Sequence, residues 1–180
     1  MLKLYYSPGA CSLAPHIALR EAGLPFELVL ASTKTKKLKD GSDYLAINPK
    51  GQVPLLALDN GERLSEGPVI QQYIADQAPA SGLLPPAGSW ARYRVQEWLN
   101  YVTSELHKGF SPLFNPAVPA DAKAVFAGLL KTRLTWVDSQ LAGRDYLTGD
   151  TFTVADGYLF VVSNWAQPVG LDIEIGRAHV

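Results

Sequence analysis

A single cysteine sits in the segment Ser7-Pro8-Gly9-Ala10-Cys11-Ser12, between a short apolar run and a stretch with helical spacing. At a helix entrance, backbone N–H groups without intrahelical partners and the positive end of the helix dipole converge. That setting favours thiolate over thiol and lowers a cysteine pKa from about 8.5 to between about 3.5 and 7.5. Cys11 is therefore a candidate for thiol chemistry or for stabilising another anion. The alternative is a small buried hydrophobe, as free cysteines commonly are. Tyr6, Ser7 and Ser12 put hydroxyl groups in the same segment, a rival way to hold an anion by hydrogen bonding.

Other groups have both a chemical and a plain reading. Glu66 precedes Gly67-Pro68 at a second helix entrance, where an acid is favoured by the dipole alone. His107 can accept a thiol proton or, as a cation, stabilise a thiolate; it can equally cap carbonyls near a helix end. Lys34, Lys36, Lys37 and Lys39 form a run that reads by itself as a solvated basic face, and Val53-Pro54 as a strand entrance.

These residues are positioned by a chain that changes character halfway. Leu2 to Tyr6 reads as a strand, Ser12 to Gly23 as a helix with Ser12 as its cap, and Phe26 to Leu30 as a second strand. Cys11, Ala14, Ala18 and Ala22 fall on one side of that helix, a stripe of small residues that can lie close to a sheet. Asn48-Pro49-Lys50-Gly51-Gln52-Val53-Pro54 leads into the apolar run Leu55 to Leu58, and Asp59-Asn60-Gly61-Glu62 turns back to Arg63-Leu64 as a hairpin. Gly67-Pro68 opens a helix with Val69, Ile70, Tyr73 and Ile74 on one face. The stretch 79–89 is Pro/Gly/Ser-rich and reads as a linker. Beyond it the period is helical. Val95, Trp98, Leu99, Val102 and Leu106 share a face, as do Phe126, Leu130, Leu134, Val137 and Leu141. Thr153-Val154-Ala155-Asp156 has capping-box form, with Ala155, Leu159, Val162 and Ala166 inward. The expected fold is α/β followed by all-α: a βαβ-ββα domain over residues 1–78, a linker at 79–89 and a helical bundle over 90–173.

The 180 residues are 47% hydrophobic and 18% charged with a net charge of −1. These values are globular, and they argue against a nucleic-acid partner. No apolar run has membrane-spanning length, and one cysteine excludes an internal disulfide framework, so a reducing, cytoplasmic setting and no membrane partner are expected. Residues 174–180, Glu-Ile-Gly-Arg-Ala-His-Val, back-translate to a sequence resembling a common short-read sequencing adapter. They are expected to be a non-native tail on a C-terminally truncated chain, and no function is placed on Arg177 or His179.

Four motifs in order, Tyr-Ser-Pro-Gly-Ala-Cys-Ser-Leu, Asn-Pro-Lys-Gly-Gln-Val-Pro, Glu-Trp-Leu-Asn-Tyr (97–101) and Glu-Leu-His-Lys-Gly-Phe (105–110), resemble the bacterial beta class of cytosolic glutathione transferases. The resemblance runs from Met1 to about Asp172. It implies a thioredoxin-like first domain, glutathione as co-substrate with no metal, and a homodimer. It implies a backbone pairing between Val53 and glutathione, with Pro54 in the cis form, and a γ-glutamyl grip from Glu66 and Gly67. Gly67 stands where many relatives have serine, so a backbone donor survives and a hydroxyl contact is lost. It further implies that Lys36 meets the glycyl carboxylate and that Asn100, Ser104, His107 and Lys108 come from the helical half.

Cys11, His107, Ser12 and Tyr6 are the catalytic candidates, with Cys11 preferred because it can also form a mixed disulfide. Phe110, Phe114 and Trp165 are candidates to line a pocket for an apolar electrophile. The implied activity is conjugation of the glutathione thiolate. Monothiol thiol–disulfide exchange through Cys11 and a non-catalytic ligand-binding protein of the same fold are the alternatives.

Overall fold

Two five-residue runs rich in Leu, Tyr and Val, β1 (Leu2–Tyr6) and β2 (Phe26–Leu30), pair in parallel with Leu4 opposite Leu28. A parallel pair requires a crossover, and α1 (Leu13–Glu21) supplies it. Ala14 and Ala18 are buried on α1 as their spacing predicts, joined by Pro15 and Leu19. Gly23, at φ 64°, ends the helix, its N–H bonded to Arg20 O as a left-handed cap requires.

The hairpin is also as expected. β3 (Leu55–Ala57) and β4 (Arg63–Ser65) are antiparallel, with Leu58 N–H donating to Glu62 O and Gly61 at φ 88° in the turn. β3 pairs antiparallel with β1, giving a four-stranded mixed sheet of order β2-β1-β3-β4. The helix α2 (Gly67–Gln77) follows β4 and packs with α1. Its buried face differs from the one its apolar residues suggest: Ile70 and Ile74 are fully buried, but Gln71 is buried beside them and Val69 is 46% exposed. The Gln71 amide N–H donates to Gly67 O one turn back, while its Oε1 is buried without a hydrogen-bond partner among the described residues.

The structure, a computed structural model, describes residues 1–173; the expectation about residues 174–180 lies outside them. The chain divides into two compact units between Leu84 and Pro85, inside the Pro/Gly-rich stretch 79–89. The first holds the sheet with α1 and α2, and the second is helical.

In the second unit α3 (Trp90–Tyr101) is capped by Ser89, whose hydroxyl accepts from Arg92 N. The sequence reads as continuous α-helix through this region, but residues Val102–His107 form a π-helical segment before α4 (Lys108–Phe114) resumes. The apolar period alone does not reveal it, because Val95, Trp98 and Leu99 before the segment and Val102 and Leu106 within it are all buried.

α5 (Ala120–Leu141) buries Leu130, Leu134 and Val137. Phe126, expected inward, is 39% exposed. α5 has 22 residues, whereas the π segment and α4 that pack on it have six and seven, too few to cover its full length. α6 (Val154–Ser163) begins with the expected capping box: Asp156 accepts from Thr153 N and Thr153 Oγ1 at 2.8 Å each, and from Leu147 N at 2.8 Å. Ala155, Leu159, Val162 and Ala166 are buried as the pattern predicts.

Candidate functional site

In the first unit the loop from Ser7 to Ser12 closes on itself before α1 begins. Ser12 Oγ donates to Ser7 O and accepts from Ser7 N, both at 3.2 Å, and is 1% exposed. This corrects the expectation that Ser12 caps α1 with its side chain; the hydroxyl is spent on the preceding turn. The helix entrance is also poorer in unpaired donors than expected. Leu13 N donates to Ala10 O, Ala14 N to Cys11 O and His16 N to Ser12 O, and Pro15 has no N–H. Cys11 itself lies before the first helical residue, partly buried, with its thiol donating to Val53 O at 3.4 Å. That bond is one an S–H makes and a thiolate cannot. Tyr6 ends β1 half-buried, its carbonyl accepting from Ala31 N.

Val53 sits two residues before the paired part of β3, and the Val53–Pro54 peptide bond is cis, as the resemblance implied. The loop that delivers it is fixed from several sides. Tyr44 is fully buried and donates its hydroxyl to Gln52 O at 2.8 Å; burial pushes its phenol pKa up, keeping the proton on the oxygen. Asn48 Nδ2 donates to the same carbonyl at 2.8 Å. Lys36 Nζ donates to Gly51 O at 2.8 Å, and its stem crosses Gly51 so closely that an added Cβ would lie 3.0 Å from Lys36 Cδ and from Leu45 Cδ2. Lys34, Lys37 and Lys39 are exposed while Lys36 is half-buried, so the run divides into a solvated face and one residue with a structural contact.

Two non-glycine residues have positive φ among the described residues, Lys36 at 57° and Glu66 at 72°. Such conformations cost on the order of 1–3 kcal/mol and concentrate at functional positions. Glu66 precedes α2, and its carboxylate is 2.8 Å from Lys50 Nζ, which is also 3.1 Å from Ser65 Oγ. Both partners are more than half exposed, so the pair is worth at most about 1 kcal/mol. Lys50 was not singled out by sequence; its place inside the turn motif Asn48-Pro49-Lys50 was the available signal. Gly67 starts α2 next to Pro54, an ideal Cβ there lying 3.8 Å from Pro54 Cγ.

In the second unit Asn100, Ser104 and Lys108 are exposed, and His107 is half-buried at the end of the π segment. His107 Nδ1 and the Tyr158 hydroxyl are 2.6 Å apart, and Trp165 meets the His107 ring edge-on at 4.8 Å. Phe110 and Phe114 each meet Trp165 at 6.0 Å. The three aromatic candidates are thus one cluster around the histidine. Phe110 is fully buried, so it backs the cluster and does not line a surface, whereas Phe114 is 48% exposed. Arg133 of α5 binds the π segment twice, Nη1 donating to Glu105 O at 3.1 Å and Nη2 pairing with Glu105 Oε2 at 2.8 Å. Neither Tyr158 nor Arg133 was found by sequence reasoning, because Tyr158 merges with an apolar helix stripe and Arg133 with an exposed helix face.

Comparison with known proteins matches residues 1–76 to the glutathione S-transferase N-terminal domain and 101–180 to the glutathione S-transferase C-terminal domain. The chain is 49% identical to glutathione S-transferase GstA of Escherichia coli O157:H7 over 179 residues, 99% of this chain and 89% of that protein. It superposes on a sphingomonad glutathione S-transferase complexed with glutathione with a TM-score of 0.91 and 53% identity, covering 94% of this chain and 85% of the other. A bacterial beta-class glutathione S-transferase from Sphingomonas chungbukensis gives a TM-score of 0.91 at 47% identity over the same shares. A four-stranded mixed sheet with flanking helices, a helical second unit and these matches together mean that the chain belongs to the glutathione S-transferase family, in its bacterial beta-class branch.

Proposed function

We propose that glutathione conjugation by this transferase uses the first unit to bind the tripeptide and hold its sulfur as a thiolate. Val53 offers its backbone to the cysteinyl part, Glu66 its carboxylate to the ammonium and Gly67 a helix N-terminal N–H to the γ-glutamyl carboxylate. Lys36 meets the glycyl carboxylate. Cys11 and Ser12 stand beside the thiol, with Tyr6 as the remaining hydroxyl candidate. The observation that carries this reading is the hydrogen bond from the Cys11 thiol to Val53 O, which brings the only cysteine against the backbone that the matched motif assigns to glutathione.

The second unit contributes His107, with Asn100, Ser104 and Lys108 on the same helical run, and the aromatic pair Phe114 and Trp165 for an apolar electrophile. The thiolate attacks an electrophilic carbon and forms a C–S bond as the acceptor's leaving group departs with its bonding pair, or as an activated double bond opens and takes up a proton, and the thiol proton goes to water. Positioning and anion stabilisation supply the rate, with no covalent enzyme intermediate. The enzyme works in the cytoplasm as a homodimer, a second copy covering some of its exposed apolar side chains, among which are Trp90, Val125 and Leu129.

A second reading rests on the partial exposure of Cys11. Its thiolate attacks the mixed disulfide of glutathione with another thiol, releases that thiol and carries the glutathionyl group as a mixed disulfide until a further glutathione thiolate displaces it as glutathione disulfide. Turnover of Cys11→Ala, Ser12→Ala and His107→Ala in conjugation and in disulfide reduction separates the readings. Conjugation through Cys11 is expected to fall in Cys11→Ala; unchanged conjugation there with loss in Ser12→Ala transfers the activating role to the hydroxyl. Light scattering measures the oligomer, and a monomer at working concentration overturns the dimer.

A further inference from the structure

Asn60 and Gly61 stand at the tip of the hairpin between β3 and β4, and both are exposed. We propose that Asn60 is a site of spontaneous covalent modification, deamidation through a cyclic imide formed with Gly61, and that Glu62 restrains the reaction. Leu58 N–H donates to Glu62 O at 2.9 Å, Gly61 N–H to Leu58 O at 3.1 Å and Glu62 N–H to Asn60 Oδ1 at 3.0 Å. Asn60 Nδ2 donates in turn to Glu62 Oε2 at 3.0 Å. Gly61 puts no side chain beside its own nitrogen, and a Cβ added there would meet nothing within 4 Å, so no neighbouring element covers the turn.

In the reaction the Gly61 nitrogen gives its proton to hydroxide and attacks Asn60 Cγ. The N–Cγ bond forms as the Cγ–Nδ2 bond breaks, and ammonia leaves with a proton taken from water. Water then opens the imide on either side. Cleavage at Cγ gives aspartate, and cleavage at the main-chain carbonyl carbon gives isoaspartate, with the chain running through the former side chain. Nothing is oxidised or reduced, and each product carries one more negative charge than asparagine. Before this can happen Asn60 must release Glu62 at both ends of its amide, and Gly61 N–H must leave Leu58 O. Once isoaspartate has formed, the loop holds an extra main-chain carbon, and the Leu58–Glu62 bond that closes the hairpin no longer fits.

A second turn in the same unit separates the side-chain chemistry from the backbone. In Leu38-Lys39-Asp40-Gly41-Ser42, Leu38 N–H donates to Ser42 O, Gly41 N–H to Leu38 O and Ser42 N–H to Asp40 Oδ1, each at 3.0 Å. Gly41 has φ 86° and Gly61 φ 88°. The hydrogen-bond pattern is the same, but Asp40 presents a carboxylate where Asn60 presents an amide. Ser42 Oγ–H donates to that carboxylate at 2.6 Å and holds its pKa down. An ionised carboxylate repels the attacking nitrogen and has no ammonia to lose, so Asn60 reacts first.

The test is peptide mapping by mass spectrometry of the full chain held folded at mildly alkaline pH, beside the same chain unfolded in urea. The peptide over the hairpin is expected to give two products about 1 Da heavier, isoaspartate the more abundant, and to do so faster in urea. Glu62→Ala removes the carboxylate and keeps the backbone donor. It is expected to react about fivefold faster than wild type when folded, as loss of one hydrogen bond gives, and at the wild-type rate in urea. The separated isoaspartyl form is expected to unfold at lower urea than Asn60→Asp.

A folded chain that gains no mass at Asn60 while the urea-treated chain does overturns the site. A folded Glu62→Ala no faster than wild type overturns the restraint by Glu62. Isoaspartate appearing at Asp40 as fast as at Asn60 overturns the role given to the amide, and an isoaspartyl form as stable as Asn60→Asp overturns the misfit of the hairpin.

Discussion

The Cys11 thiol donates to the carbonyl oxygen of Val53 across 42 positions of sequence, at 3.4 Å. The bond ties the loop before α1 to the residue before the cis peptide, so the sulfur and the backbone proposed to receive glutathione move as one piece. A thiolate at Cys11 loses that bond. Alkylation of Cys11 by iodoacetamide is therefore expected to be slower than that of a thiol with its pKa lowered by a bare helix N-terminus, and glutathione is expected to protect it. Rapid modification at neutral pH, unaffected by glutathione, counts against both the bond and the binding site.

Gly51 tests how tightly the approach to Val53 is built. It has φ 59°, and a Cβ there would lie 3.0 Å from Leu45 Cδ2 and 3.0 Å from Lys36 Cδ. Gly51→Ala is expected to cost about 2 kcal/mol, combining left-handed strain with crowding, and to raise the KM for glutathione more than it lowers kcat. A variant with wild-type stability and KM shows that the loop relaxes freely.

Asp156 holds three donors, Thr153 N, Thr153 Oγ1 and Leu147 N, in a half-buried place. Asp156→Ala is expected to destabilise the protein by about 2–3 kcal/mol, from the lost cap and the donors left behind. Burial is the largest influence on its carboxyl and raises its pKa, against the opposing pull of the hydrogen bonds. A folded-state pKa raised above the unfolded one favours folding below the unfolded value of about 3.8, and that contribution disappears as pH rises through the folded value. Urea denaturation of wild type and variant near pH 4 and at pH 7 measures both effects; equal stability of the two proteins at pH 7 sinks the structural role.

His16 works in the opposite direction at milder pH. Burial, with the Arg20 charge adding to it, lowers its pKa. The unfolded chain then binds the proton more readily, so stability is full above the unfolded value of about 6.5 and declines as pH falls from there toward the folded value. His16→Gln is expected to flatten the decline in stability as pH falls below about 6.5. A profile as steep as that of the wild type assigns the slope to another group.

Much of the first unit was legible because its signals are local. Gly61 and its neighbours specify a hairpin, Gly23 a helix end, and the small stripe Ala14 and Ala18 a close-packed crossover, each set by a few adjacent residues. Thr153 and Asp156 announced α6 in the same way. The candidate groups Cys11, Val53 and His107 were legible through the motifs that contain them, and Lys36 and Glu66 through the family resemblance.

What the chain could not declare locally was the partner of each group. The Ser12 hydroxyl turned to Ser7 and left the helix, whose first turn offers it no partner: Pro15 has no N–H and Ala14 N already donates to Cys11 O. The π segment, the hold of Arg133 on Glu105, the Lys50–Glu66 pair and the hydrogen bond of Tyr158 to His107 join residues that only folding brings within reach. Their energies depend on distance and direction in space, and no spacing along the sequence encodes those. The sequence by itself determined the fold class, most of its elements and the residue types capable of the chemistry; tertiary structure decided which hydrogen bonds and ion pairs those residues make.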